Sequence, residues 1–258
     1  MKIAILGIGH MGSWLARELK KKNKIAVYDL DKSKINGIAD VKVLSNLSDL
    51  GLFNPELLIN AVTLQNTIKA FEESLKNISK TCIICDVASV KGEISAFYAK
   101  SGFRFVSLHP MFGPTFADMD SLKEENLVII KESDENGKEF FKDFFRQYGL
   151  NQFEYTFEEH DKMMTYSLTL PFISSMVFAA CAKSGIVPGT TFARHKKIAK
   201  GLLSEDHSLL SEILFNQHSI EQLNQITAQL EFLKHVIKAK DYDEMRKVFE
   251  KLRKNLGD

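Results

Sequence analysis

The stretch "KIAILGIGHMGSWLA", residues 2–16, decides how the rest of the chain is read. A short apolar run meets Gly7, Gly9 and Gly12 in Gly-x-Gly-x-x-Gly spacing, and a helical pattern opens behind it. Gly7 permits a tight turn, Gly9 lets the backbone approach a pyrophosphate without a clashing Cβ, and Gly12 lets the helix pack closely on the strand. The free amides at the helix start, around His10 and Met11, then face the phosphates together with the positive end of the dipole. Asp29 ends a second apolar run, "AVYDLD", about 20 residues further on. A carboxylate there accepts hydrogen bonds from a ribose diol and repels a 2′-phosphate, which favours NAD over NADP. The expected cofactor contacts are therefore Gly7, Gly9, His10, Met11, Gly12 and Asp29. Asp31 reads as an N-cap for "KSKINGIA".

Working outward, short apolar runs alternate with helical patterns. Strands are expected at 2–7, 24–29, 41–44, 57–62, 81–87, 103–108 and 126–131. Runs apolar on both faces and separated by helices indicate a largely parallel sheet covered on both sides. The fold class is α/β, an N-terminal Rossmann-type doubly wound sheet over residues 1–155. From residue 156 strand signals stop, and an all-helical domain is expected over 156–258. There Leu223, Ile226, Leu230, Leu233 and Ile237 recur at spacings of three and four, an apolar stripe on one helix face. The stripe must pack on the first domain, on another copy of the chain, or inside an ordinary bundle; a homodimer through the helical domain is the expectation.

Composition adds bounds. The 258 residues are 45% hydrophobic and 26% charged, and 34 Lys+Arg against 33 Asp+Glu leave +1, with no global pull toward nucleic acid or membrane. No apolar run approaches the roughly 18–20 residues of a membrane span, and the N-terminus lacks a signal-peptide cleavage pattern. A cytoplasmic protein is expected. "CIIC" places Cys82 and Cys85 three apart in an apolar run, where strand geometry points the sulfurs to opposite faces. They read as core cysteines, and no metal site is expected.

Ligands in such sheets bind beyond the carboxyl ends of the strands. That puts Val62 and Thr63 ("NAVT") and Ala88 and Ser89 ("DVASVK") near the nicotinamide half. Ser89 also reads as an N-cap for the helix that follows, and Lys91 as a phosphate or carboxylate contact or a solvated lysine. The stretch "SLHPMFGPTF", 107–116, holds two of the five prolines around His109. Pro110 pushes His109 toward extended backbone, while Gly113 and Pro114 are expected to fix the turn.

Together the glycine motif, "DVASVK" (86–91), "LHPMFGP" (108–114) and "EHDKMMTY" (159–166) resemble the prephenate dehydrogenases, oxidoreductases of tyrosine biosynthesis that oxidatively decarboxylate prephenate with NAD. The resemblance runs in order through nearly the whole chain. It implies His109 as base for the ring hydroxyl, a task that suits an imidazole of ordinary pKa near 6.5. It implies Ser89 as support for that hydroxyl and for the histidine. It also implies an arginine against a substrate carboxylate; the pattern falls on Ala193, so Arg194, or else His195, Lys196 or Lys197, takes the place. Thr169 stands where some relatives carry a histidine and is expected to donate a hydrogen bond to substrate. His160 belongs to the family pattern and is read as orienting its helix or lining the cleft. Neither the mutase nor the regulatory domain carried by some relatives is expected within these residues. Arogenate dehydrogenase is the alternative; another small Rossmann reductase and a nucleotide-sensing binding protein are the more distant ones.

Overall fold

The computed structural model describes residues 1–113, 122–183, 185, 187–204 and 207–257. Among them eight strands form one sheet: β1 (Lys2–Leu6), β2 (Lys24–Tyr28), β3 (Lys42–Val43), β4 (Leu57–Asn60), β5 (Ile83–Asp86), β6 (Phe105–Pro110), β7 (Asn126–Ile130) and β8 (Asn151–Tyr155). Their order is β3-β2-β1-β4-β5-β6-β7-β8. The first six run parallel, β7 is antiparallel to β6, and β8 is parallel to β7. This is the doubly wound order of dinucleotide-binding sheets, extended at one edge by a reversed pair. The helices of this half are α1 (His10–Leu19), α2 (Asp49–Phe53), α3 (Thr67–Ser74), α4 (Ile94–Ser101) and α5 (Glu135–Arg146).

Side chains alternate with period two across the parallel strands. Ile3, Ile5, Ile25, Val27, Leu57, Ile59 and Cys85 enter one buried cluster, and Ala4, Leu6, Ala26, Leu58 and Ile84 the other. Both faces are thus covered. Cys82 and Cys85 fall in opposite clusters, both free and buried, and burial pushes the Cys82 thiol up to about 12. In the Cys85 cluster Trp14, the chain's one tryptophan, meets the Phe112 ring edge-on at 5.4 Å and stacks on Phe145.

Beyond β8 the chain is helical: α6 (Phe157–Met164), a π-helical turn (Thr165–Thr169), α7 (Leu170–Cys181), α8 (Thr190–Leu202), α9 (His207–Leu214), α10 (Ser219–Ala239) and α11 (Tyr242–Leu256). Thr156 and Glu159 form a capping box at the start of α6. Pro171 has no N–H for the carbonyl four residues back, and the chain widens into the π turn just before it. The continuous helix Phe157–Cys181, 25 residues, contains an 18-residue window of mean hydropathy 1.4 that is 28% buried. It is long and apolar enough to cross a membrane by length and composition only, as a core helix also can be, which corrects the expectation that no run approaches that length. Of the α10 stripe, Leu223, Leu230 and Ile237 remain 39%, 51% and 64% exposed in the single chain. A small third cluster, Val90 with Phe172 and Ile213, joins the sheet half to the helices.

Candidate functional site

The functional side chains gather at the carboxyl edge of the sheet. Gly7 follows β1 with φ +83, and a Cβ there would lie 2.6 Å from the Val62 amide nitrogen. At Gly12 a Cβ would lie 1.9 Å from the Gly7 carbonyl oxygen, so helix and strand meet too closely for any side chain. At Gly9, the N-cap of α1, an added Cβ meets nothing within 4 Å, so the space above the helix start is open. His10 is exposed there and Met11 half-buried. The Ile8 amide donates to Asp29 Oδ2 at 2.6 Å and the Asp31 amide to Oδ1 at 2.8 Å, fixing the carboxylate beside the glycine turn. Asp31 caps the following 3-10 turn through the Ser33 amide. Glycine spacing, open space and acid together fit a dinucleotide, with Gly7, Gly9 and Asp29 as the residues that would hold it.

Val62 and Thr63 follow β4, and Ala88 and Ser89 follow β5, all at that same edge. Ser89 is half-buried; α4 starts only at Ile94, so Ser89 does not cap it. Lys91 departs from expectation. Its side chain is fully buried, with Nζ 2.6 Å from both Asp86 Oδ2 and the Leu108 carbonyl oxygen. The solvated lysine and the contact to a ligand phosphate or substrate carboxylate are both corrected: Nζ is buried and spent on Asp86 and Leu108, since a buried carboxylate requires a cation beside it. Tyr98 donates its hydroxyl to Asp86 Oδ1 at 2.7 Å, and the Ala88 amide donates to Oδ2 at 3.0 Å.

His109 lies one residue inside the end of β6, opposite Val128 on β7; the strand runs through to Pro110 rather than stopping at Leu108. Gly113 is the last described residue of the segment, and Pro114 lies outside the described residues. His109 is buried, with Nδ1 3.0 Å from His160 Nε2. His160 Nδ1 is in turn 3.0 Å from Asp161 Oδ1. That carboxylate also accepts the Lys91 amide at 2.9 Å and the Gly92 amide at 2.8 Å. Burial, then the neighbouring His160 and the Lys91 cation, hold the His109 pKa well below its ordinary value. Burial lowers His160 as well, against the opposing pull of Asp161.

Two expected substrate contacts are placed elsewhere. Thr169 is fully buried and pairs with Ser219 Oγ at 3.1 Å, while the Ser219 hydroxyl donates to the Ile213 carbonyl. The Thr169 hydroxyl is therefore paired with Ser219 inside the helical half, between the π turn and α10, rather than open to the His109 network. Arg194, His195, Lys196 and Lys197 lie exposed on α8, outside the His109 network. Among the described residues no group of three His, Cys, Asp or Glu is arranged to hold a metal ion.

A profile of the prephenate dehydrogenase nucleotide-binding domain matches residues 15–149, more than half of the chain. The chain belongs to the prephenate dehydrogenase family. A "Probable arogenate/prephenate dehydrogenase" of Methanocaldococcus jannaschii is 22% identical over 276 residues; the alignment takes in all of this chain and 61% of the relative's length. The chain thus spans less than two thirds of that protein. The prephenate dehydrogenase of A. aeolicus, solved with hydroxyphenyl propionate and NAD+, superposes with a TM-score of 0.84 at 18% identity, covering 99% of this chain and 96% of that one. Synechocystis arogenate dehydrogenase gives 0.78 at 18%, covering 99% and 98%.

Within this family's sheet, the contact between His160 and His109 was not foreseen from sequence, since 51 positions separate them. Asp161, in the quoted "EHDKMMTY", carried no expectation. One signal was available for Lys91: an aspartate closing a strand apolar on both faces needs a cation, and Lys91 is five residues away.

Proposed function

We propose that this chain is an NAD-dependent dehydrogenase that oxidatively decarboxylates prephenate to 4-hydroxyphenylpyruvate in tyrosine biosynthesis, with His109 as base. The observation that carries the reading is His109 itself, an imidazole buried at the sheet's carboxyl edge, one strand over from Ser89, whose pKa burial holds below its ordinary value. Bound over Gly7, Gly9 and Asp29, NAD supplies the hydride acceptor. His109 takes the proton of the ring hydroxyl as that carbon becomes a carbonyl, and loss of carbon dioxide then aromatises the ring. Burial keeps the imidazole unprotonated at neutral pH, the state a base requires. Ser89 is assigned to the hydroxyl. Arg194, exposed on α8 and outside the His109 network in the single chain, stays the residue that the family resemblance assigns to a substrate carboxylate. Arogenate is the second reading, favoured by the relatives named for it.

The same reading includes a homodimer. The exposed Leu223 lines an apolar groove of about 310 Å³ with Ile173, Met176, Leu214 and Ile220, and Leu230 and Ile237 extend the exposed stripe along α10. A second copy offers the matching stripe, and sedimentation at equilibrium giving a monomer would remove it. A cytoplasmic setting rests on the three unpaired cysteines. The deciding assay follows reduced-cofactor formation with prephenate and with arogenate, each with NAD+ and NADP+. Wild type turns over one acid with NAD+, and His109→Ala loses that rate. Dinucleotide binding without turnover of either acid would replace the enzyme with a sensing protein.

A further inference from the structure

The network behind His109 ends on a carboxylate that the reaction itself does not use. Asp161 gathers three donors: the His160 ring at 3.0 Å on Oδ1, and the backbone amides of Lys91 at 2.9 Å and Gly92 at 2.8 Å. Those amides belong to the loop that carries Ser89. His160, the next residue back on α6, reaches His109 Nδ1 with its Nε2 at 3.0 Å. Two adjacent side chains of α6, Asp161 and His160, therefore link the Ser89 loop to the end of β6.

We propose that Asp161 is a positioning residue that, acting through His160, fixes the hydrogen of His109 on Nδ1 and leaves Nε2 as the basic nitrogen. Each donor in the network must meet an acceptor. An ionised carboxylate has no hydrogen to give, so His160 Nδ1 must carry one and donate it to Oδ1. Burial alone would raise the Asp161 pKa, but the bonds from His160 and the Lys91 and Gly92 amides outweigh it and hold the group ionised. A neutral His160 protonated at Nδ1 has its lone pair on Nε2, and that atom faces His109 Nδ1. The contact is a hydrogen bond only if His109 Nδ1 is the donor. Both imidazoles are neutral, because burial disfavours their charged forms. The charged groups bearing on the pair are Lys91 and Asp86 from the β5 edge and Asp161 from α6. With the opposite tautomers, the Asp161 carboxylate would confront a lone pair on His160.

The inference rests on His109 being the base, yet its first test needs no substrate. Nitrogen-15 spectroscopy of the whole protein labelled at histidine reports which ring nitrogen carries hydrogen. Expected is a protonated Nδ1 and a bare Nε2 on His109 and on His160; a bare His109 Nδ1 in wild type overturns the proposal. In Asp161→Asn the amide is free to turn its NH2 toward His160, and the His109 preference should fall at least about tenfold. Its kcat should drop about 100-fold, the scale of one misplaced general base, with KM for NAD+ unchanged. Removing the anion also moves the acid limb of kcat/KM to lower pH. His160→Gln, whose Oε1 can stand in for the Nε2 acceptor, should keep about tenfold more kcat than His160→Leu. Equal losses in those two variants, or Asp161→Asn with wild-type tautomer and rate, refute the assignment. Should wild type turn over neither prephenate nor arogenate, the reaction is wrong while the tautomer result still stands or falls on the spectrum. A variant that fails to fold leaves the wild-type spectrum to decide.

Discussion

Replacing Lys91 by methionine tests the most deeply buried charge in the site. The Asp86–Lys91 pair is 2.6 Å long with both side chains fully buried, and Lys91 Nζ also holds the Leu108 carbonyl just before His109. Methionine matches the stem of lysine in length, so little packing is lost. What remains is a buried Asp86 carboxyl whose hydrogen-bond partners among the described residues are the Tyr98 hydroxyl and the Ala88 amide. Breaking a buried pair from one side costs about 3–5 kcal/mol, a large part of the 5–15 kcal/mol that usually holds a domain together. With a urea m-value of about 2–3 kcal/mol/M, the unfolding midpoint should fall by about 1–2.5 M. Adding Asp86→Asn removes the stranded charge and should recover part of that loss. A second readout concerns His109. The Lys91 cation helps hold its pKa down, so Lys91→Met raises that pKa and moves the acid limb of kcat/KM toward higher pH. A midpoint within about 0.3 M of wild type would mean a loss under about 1 kcal/mol and would refute the reasoning. An acid limb moving to lower pH would refute its electrostatic half.

Other predictions follow from the same geometry. Gly9→Ala should keep the thermal midpoint of the free protein while weakening NAD+ about tenfold, ~1.4 kcal/mol, because its Cβ meets open space where a pyrophosphate is proposed. Gly12→Ala should lower the midpoint itself, through a stability loss of about 1–3 kcal/mol from overpacking, with the new Cβ 1.9 Å from the Gly7 oxygen; equal thermal midpoints for the two variants would contradict this. His109 and His160 are both held below their ordinary pKa. The unfolded chain therefore takes up their protons first, and stability present above about pH 6.5 declines below it by up to about 1.4 kcal/mol per pH unit per histidine. Urea melts at pH 7.5 and 5.5 check this, and greater stability at the lower pH would argue against buried neutral rings. Ser107 Oγ is buried and finds no hydrogen-bond partner among the described residues. Ser107→Ala should therefore be neutral or stabilising by up to about 1 kcal/mol, and a clear loss would reveal a partner.

The parallel part of the sheet was readable because its strands bury both faces and so appear as unbroken apolar runs. β8 was missed for the opposite reason. "NQFEY" is an edge strand with Asn151, Phe153 and Glu154 exposed, so no burial pattern marks it. Nor does an apolar run carry direction, and the reversal at β7 had no signal. In the site, residues bound by local backbone geometry were legible: the glycines, Asp29 and the Asp31 cap. Side chains whose role depends on distant partners were not. Lys91 reads from sequence as a phosphate or carboxylate contact of a ligand or as a solvated lysine, and only the closeness of Asp86 to Leu108 across neighbouring strands explains its burial. Thr169 looked free until α10 brought Ser219 against it. His160 acquires its role from β6, which no local pattern in "EHDKMMTY" could announce.

The Trp14–Phe112 contact gives the molecule an optical property. Trp14 is the chain's one indole, set on the helix whose first turn borders the proposed cofactor space, and its ring meets the segment three residues past His109. Its emission comes from one place only. A change in colour or intensity on adding a ligand can therefore be assigned to that junction without labelling. Because reduced nicotinamide absorbs where indole emits, filling the site should also quench Trp14 by energy transfer, and the protein would report its own occupancy in an ordinary fluorimeter.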